Sequence, residues 1–76
     1  MADTYAILGF SDTCAPVVLY ESESAGDCAR WRDGYTRGGD WGGYGALALF
    51  EIAPGQAAET IFQHDAPIDV AERGAA

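Results

Sequence analysis

The sequence predicts an α+β domain: an antiparallel four-stranded sheet in the order β-β-α-β-β, with one helix packed on one face. Three features carry that expectation. Two strand-length apolar runs near the start are joined by turn residues, a capped amphipathic stretch follows, and a nearly unbroken apolar segment lies beyond a glycine-rich break. The 76 residues suffice for one domain. It is expected over 1–66, with 67–76 as a C-terminal arm or frayed tail.

The first strand is read over Tyr5–Phe10, which mixes aromatic and aliphatic residues, and the second over Val17–Glu21, with its β-branched residues. Between them Ser11, Asp12 and Pro16 supply turn chemistry, so the pair reads as a hairpin. Ser24 with Asp27 three residues later marks a helix start. Cys28, Trp31 and Tyr35 then fall on one stripe beside the arm of Arg32. Gly34 weakens the last turn, and Gly38-Gly39 ends the helix.

Five glycines in the eight residues from Gly38 to Gly45 surround Trp41 and Tyr44. Two readings stand: a loop that needs positive φ and folds its aromatics over the core edge, or a presented aromatic contact. The run Ala46–Ile52 reads as a central strand buried on much of both faces. Pro54-Gly55 breaks it. The stretch 56–65 is ambiguous, because Ala57-Ala58-Glu59 can start a helix whereas Thr60-Ile61-Phe62 suits a strand. The fourth strand is placed over Glu59–His64, with Pro67–Val70 docking as an arm and Ala71–Ala76 frayed. One helix cannot cover both apolar faces of such a sheet, so a homodimer is expected to supply a third layer.

Composition restricts function. The chain is 49% hydrophobic, too apolar for a disordered tail, and carries twelve acids against four arginines and no lysine, a net charge of -8. Direct contact with nucleic-acid phosphates or an anionic membrane surface is disfavoured. No apolar run approaches a membrane span, and no export signal is recognised, so the cytoplasm is the expected compartment and Cys14 and Cys28 are expected as free thiols.

No catalytic residues, cofactor or metal are assigned. His64 stands beside Asp65 with no nucleophile and orienting group indicated around it. Cys14, Cys28 and His64 lack the paired spacing of a zinc site. An enzyme is therefore not expected. What remains is charge. Glu21, Glu23, Asp27, Asp33 and Asp40 cluster around the helix, and Glu51, Glu59, Asp65, Asp69 and Glu72 form a later group. Such acids keep any small protein dispersed, but on a rigid body they also fit a basic groove built for nucleic acid, each carboxylate taking a phosphate's place. The candidate partner-binding residues are Glu21, Glu23, Asp27, Asp33 and Asp40 for charge, with Trp41 and Tyr44 as packed anchors.

In size, acidity and Ala-, Gly-, Asp- and Arg-rich usage without lysine, the whole chain resembles the small anti-CRISPR proteins of phages and prophages, in particular inhibitors of type I-C CRISPR surveillance complexes. The resemblance includes no alignable motif and transfers no functional residue. It implies a DNA-mimicking inhibitor in the bacterial cytoplasm that binds the Cascade complex and blocks target DNA, without a cofactor. The rival expectation is a phage or mobile-element structural or adaptor protein acting as a homo-oligomer.

Overall fold

The computed structural model describes residues 4–39 and 41–73. It has the expected sheet: four antiparallel strands, β1 (Thr4–Phe10), β2 (Val17–Ser22), β3 (Ala46–Ile52) and β4 (Asp69–Glu72), in the spatial order β2-β1-β3-β4. Helix α1 (Ala25–Arg37) links β2 to β3, and a second helix, α2 (Ala58–His64), links β3 to β4. β2 and β3 both run antiparallel to β1 and so parallel to each other, with α1 crossing over one face.

The centre of the sheet is apolar on both sides. Ala6, Ile7 and Leu8 of β1 are fully buried, and Leu47–Phe50 of β3 are buried without a break. Alternation along the strands sends these residues into two separate clusters. Ile7, Leu47 and Leu49 meet Cys28 of α1 together with Trp41, whereas Ala6, Leu8, Ala48, Phe50 and Ile52 meet Ile61 of α2. On β2 the register shifts opposite Ile7 and Leu8, skipping Leu19, so Leu19 and Tyr20 both pack in the α1 cluster while Val18 packs under α2.

α1 forms where its signals stand. The Ser24 hydroxyl caps the first turn by accepting from the Asp27 N–H at 3.2 Å, and Gly38 closes the last. A Cβ at Gly34 would meet open space, so this glycine costs helix propensity without serving a close contact. The glycine-rich connection is a tight turn. The Tyr44 N–H donates to the Trp41 carbonyl across Gly42 and Gly43, whose φ values are 63° and 89°. Two successive positive φ values favour glycine, and a Cβ at Gly42 would in addition lie 2.3 Å from the Tyr35 hydroxyl.

Two expectations are corrected at the C-terminal end. Glu59–His64 was expected as a strand and lies within α2; the fourth strand lies instead at Asp69–Glu72, inside the segment expected as an arm and frayed tail. The reason is tertiary. The β1–β3 face bearing Leu8 and Phe50 has to be covered, and Ile61 covers it from a helix whose Thr60 and Phe62 face outward. β3 still needs a partner on its far side, which Asp69–Glu72 provide through pairs from Leu49↔Asp69 to Ala46↔Glu72. α2 also supplies the third layer for which a homodimer was expected. Residues 74–76 of the expected frayed tail lie outside the described residues.

If α2 is part of the core, Ile61→Ala lowers unfolding free energy by about 2–5 kcal/mol. A urea titration measures it, and a loss below about 1 kcal/mol contradicts the packing of α2 on the sheet.

Candidate docking surface

The acidic residues nearest the helix start gather at one end of the sheet. Glu21 is exposed one residue before the end of β2, Glu23 lies exposed in the turn before α1, and Asp27 occupies the first turn. Tyr5 pairs with Ser22 on one side and with Glu51 on the other, which brings exposed Glu51 to the same end. Glu51 belonged to the later group in the sequence, and only the cross-strand register places it here.

Asp27 is the best-held of these carboxylates. The Tyr20 hydroxyl donates to its Oδ2 at 2.6 Å, and Arg30 approaches its Oδ1 at 3.7 Å. The hydrogen bond from Tyr20 holds the Asp27 carboxyl below its ordinary value, and the same bond pushes the Tyr20 hydroxyl up. Asp33 is exposed, but it lies on the outer stripe of α1 between exposed Arg30 and Arg37, so it belongs to a mixed face and not to the acidic end. Asp40 lies outside the described residues.

The aromatic assignments are partly exchanged. Trp41, read either as folded over the core edge or as a presented contact, is buried at 9% exposure among Ile7, Leu47 and Leu49, so the first reading holds and it is not a partner-binding anchor. The tight turn at Gly42-Gly43 folds its ring inward. Tyr44 is half-buried, its ring so close to Gly9 that a Cβ there would sit 2.8 Å away. The ring lines an open groove of about 460 Å³ with Asp12, Glu72 and Arg73, at the opposite end of the sheet from Glu21 and Glu23.

The surface aromatic feature is instead a ladder beside the acidic end. Trp31 lies between Tyr20 and Tyr35, stacked on each with ring centroids 5.1 and 5.0 Å apart and planes 8° and 14° from parallel. All three residues are half-buried. The helical stripe Cys28–Trp31–Tyr35 reads from the sequence as core, because spacing shows which residues share a face and not where the sheet beneath them ends. Tyr20 reaches the same face through the register shift in β2, which spacing does not reveal.

Other reactive groups are placed apart from this surface. Cys28 is buried, and burial above all, with the Asp27 charge adding to it, pushes its thiol up and away from the reactive thiolate form. Cys14 is exposed in the loop before β2, with its thiol 3.7 Å from the Thr13 hydroxyl. His64 is exposed at the end of α2. Among the described residues no three His, Cys, Asp or Glu side chains are grouped to hold a metal ion, and no helix is long and apolar enough to cross a membrane.

Arg32 shares the α1 stripe but points into the protein. At 7% exposure it is the buried charge among the described residues, and its Nη2 donates to Asp69 Oδ2 of β4 at 2.6 Å. Its Nε and Nη1 have no hydrogen-bond partner. Asp69 is thus the acceptor that keeps this guanidinium from being buried unpaired.

No protein-family model matches the chain, and neither curated proteins nor solved structures yield a match.

The Arg32 hydrogen bond, followed by its charge, holds the Asp69 carboxyl below the ordinary 3.8. A folded-state value below the unfolded one stabilises the protein above the unfolded value, and that contribution disappears as pH falls through the folded value. Wild type is therefore expected to lose more unfolding free energy than Asp69→Asn between about pH 5 and about pH 2, although Asp69→Asn is less stable at pH 7. Urea titrations across that range measure the difference; parallel pH profiles contradict the assignment.

Proposed function

We propose that this chain is a binding protein, an acidic inhibitor that occupies a cationic, nucleic-acid-binding surface of another protein. The observation that carries the reading is the half-exposed ladder Tyr20–Trp31–Tyr35 tied through the Tyr20–Asp27 hydrogen bond to the end of the sheet bearing Glu21, Glu23 and Glu51. Carboxylates alone steer association and set register, and they contribute little affinity against water and salt. Stacked Trp and Tyr supply the apolar contact that charge lacks, with little side-chain entropy left to lose because the rings already hold one another.

The charge balance supports the same reading. Among the four cations of a chain with net charge -8, Arg32 is buried against Asp69 and Arg30 stands over Asp27, so neither offers an isolated positive site. A phosphate-lined partner is repelled and a groove that binds phosphates is attracted. The specific form of the proposal is the one the sequence resemblance implies, inhibition of a type I-C CRISPR Cascade complex by exclusion of its target DNA. The interaction requires neither a nucleophile nor a cofactor.

The test is competition. Purified type I-C Cascade is titrated with labelled target duplex in the presence of the chain. Near-stoichiometric chain is expected to suppress duplex binding, and raising salt from about 0.1 M to about 0.5 M is expected to weaken that suppression steeply. The triple variant Glu21→Lys, Glu23→Lys, Glu51→Lys is expected to lose at least about tenfold in potency with its thermal melt preserved, since all three side chains are exposed. Unchanged duplex binding under excess chain rejects the Cascade form, and equal potency of the triple variant rejects the acidic end as the docking site.

A further inference from the structure

We propose that β4 is a self-association edge, at which two copies of this chain join their sheets about a two-fold axis through Ala71. This goes beyond the docking surface above and does not depend on it. The two outer strands of the sheet are unlike. β2 is preceded by Pro16 and broken by the register shift at Leu19, features that blunt an edge. β4 keeps all four pairs with β3 in register and contains no proline; Pro67 and the out-of-register bond from the Ile68 N–H to the Leu49 carbonyl lie before it.

The backbone decides which residues a neighbour can reach. The Arg73 N–H donates to the Gly45 carbonyl at 2.9 Å, extending the ladder beyond Ala46↔Glu72. Hydrogen-bonded pairs alternate in an antiparallel ladder, so Asp69, Ala71 and Arg73 turn their backbone groups toward β3, while Val70 and Glu72 turn theirs outward. An antiparallel two-fold pairing must place these outward residues opposite one another, which permits axes through Val70, Ala71 or Glu72. An axis at Glu72 opposes that carboxylate to its own copy. An axis at Val70 sets Asp69 against Ala71.

Only the axis at Ala71 sets opposite charges against each other, Asp69 against Arg73 of the second copy, twice by symmetry. It also pairs Val70 with Glu72, giving four backbone hydrogen bonds, and brings two alanines together at the close, non-hydrogen-bonded position where a small side chain fits. Val70 is 45% exposed, and the aliphatic part of the opposing Glu72 would cover it. Of the exposed large apolar residues, Ile68 and Val70 lie at this edge, Ile68 just before β4 and Val70 within it. So short a strand buries less than an ordinary stable interface, so the dimer is weak and appears at high concentration.

Sedimentation equilibrium from about 10 μM to about 1 mM, combined with amide hydrogen exchange at both extremes, tests this. A monomer–dimer equilibrium is expected, with the Val70 and Glu72 amides slowing as concentration rises while Ala71 is protected throughout. Arg73→Glu opposes two acids and is expected to weaken dimerisation at least about tenfold, whereas Arg37→Glu, the same charge change on exposed α1, is expected to weaken it far less. A monomer at every concentration overturns the proposal. So does a dimer whose Val70 and Glu72 exchange is independent of concentration, or one that both charge variants weaken equally.

Discussion

Burial of β1 and β3 on both faces is the constraint from which the rest of the structure follows. Ala6–Leu8 and Leu47–Phe50 present apolar side chains to both sides of the sheet, so an uncovered face would leave Leu8 and Phe50, or Ile7 and Leu49, in water. A chain of 76 residues has little length with which to build two covers. It does so with a thirteen-residue helix on one face and a seven-residue helix on the other. Every connection is correspondingly short, and Asp69–Glu72 pairs with β3 as the outer strand.

That economy shapes the surface. α1 has to cross from β2 to β3 over β1, which lays its aromatic stripe across the β2 side and leaves Trp31 at the margin of the sheet, stacked between Tyr20 and Tyr35. Its first turn follows the end of β2, and the Tyr5 register brings Glu51 to the same end of the sheet as Glu21 and Glu23. On its inner side Arg32 reaches β4 through Asp69 and joins the helix to the last strand across 37 residues of sequence. One cation is thereby withdrawn from an already acidic exterior. Fold and electrostatics are coupled through the same helix.

Much of this was legible in the residues. Ser24 with Asp27 located α1, Gly38-Gly39 its end, and the unbroken run Ala46–Ile52 the doubly buried strand. The segment 56–65 was not, because Ala57-Ala58-Glu59 and Thr60-Ile61-Phe62 favour different backbones locally, and the choice is made by a sheet face that local sequence does not display. β4 was missed because Asp69–Glu72 has only Val70 as a strand-favouring side chain and gains its stability from pairing with β3. The acidic cluster was half legible. Glu21, Glu23 and Asp27 are neighbours in the chain, but Glu51 joins them only through the Tyr5 register, and Asp33 leaves them because Arg30 and Arg37 share its stripe. Of the two readings open for Trp41 the inward one holds, since the turn at Gly42-Gly43 carries its ring into the core, while the sheet margin leaves Trp31 half exposed.

The two-sided sheet is tested most directly by backbone and side-chain nuclear Overhauser contacts over residues 56–73. The account predicts sequential amide–amide contacts through Ala58–His64, cross-strand contacts of Leu47 with Ala71 and of Ala46 with Glu72, and contacts from Ile61 to Leu8 and Phe50. An extended pattern through Glu59–His64 with cross-strand contacts to β3, and none from Asp69–Glu72, would contradict it.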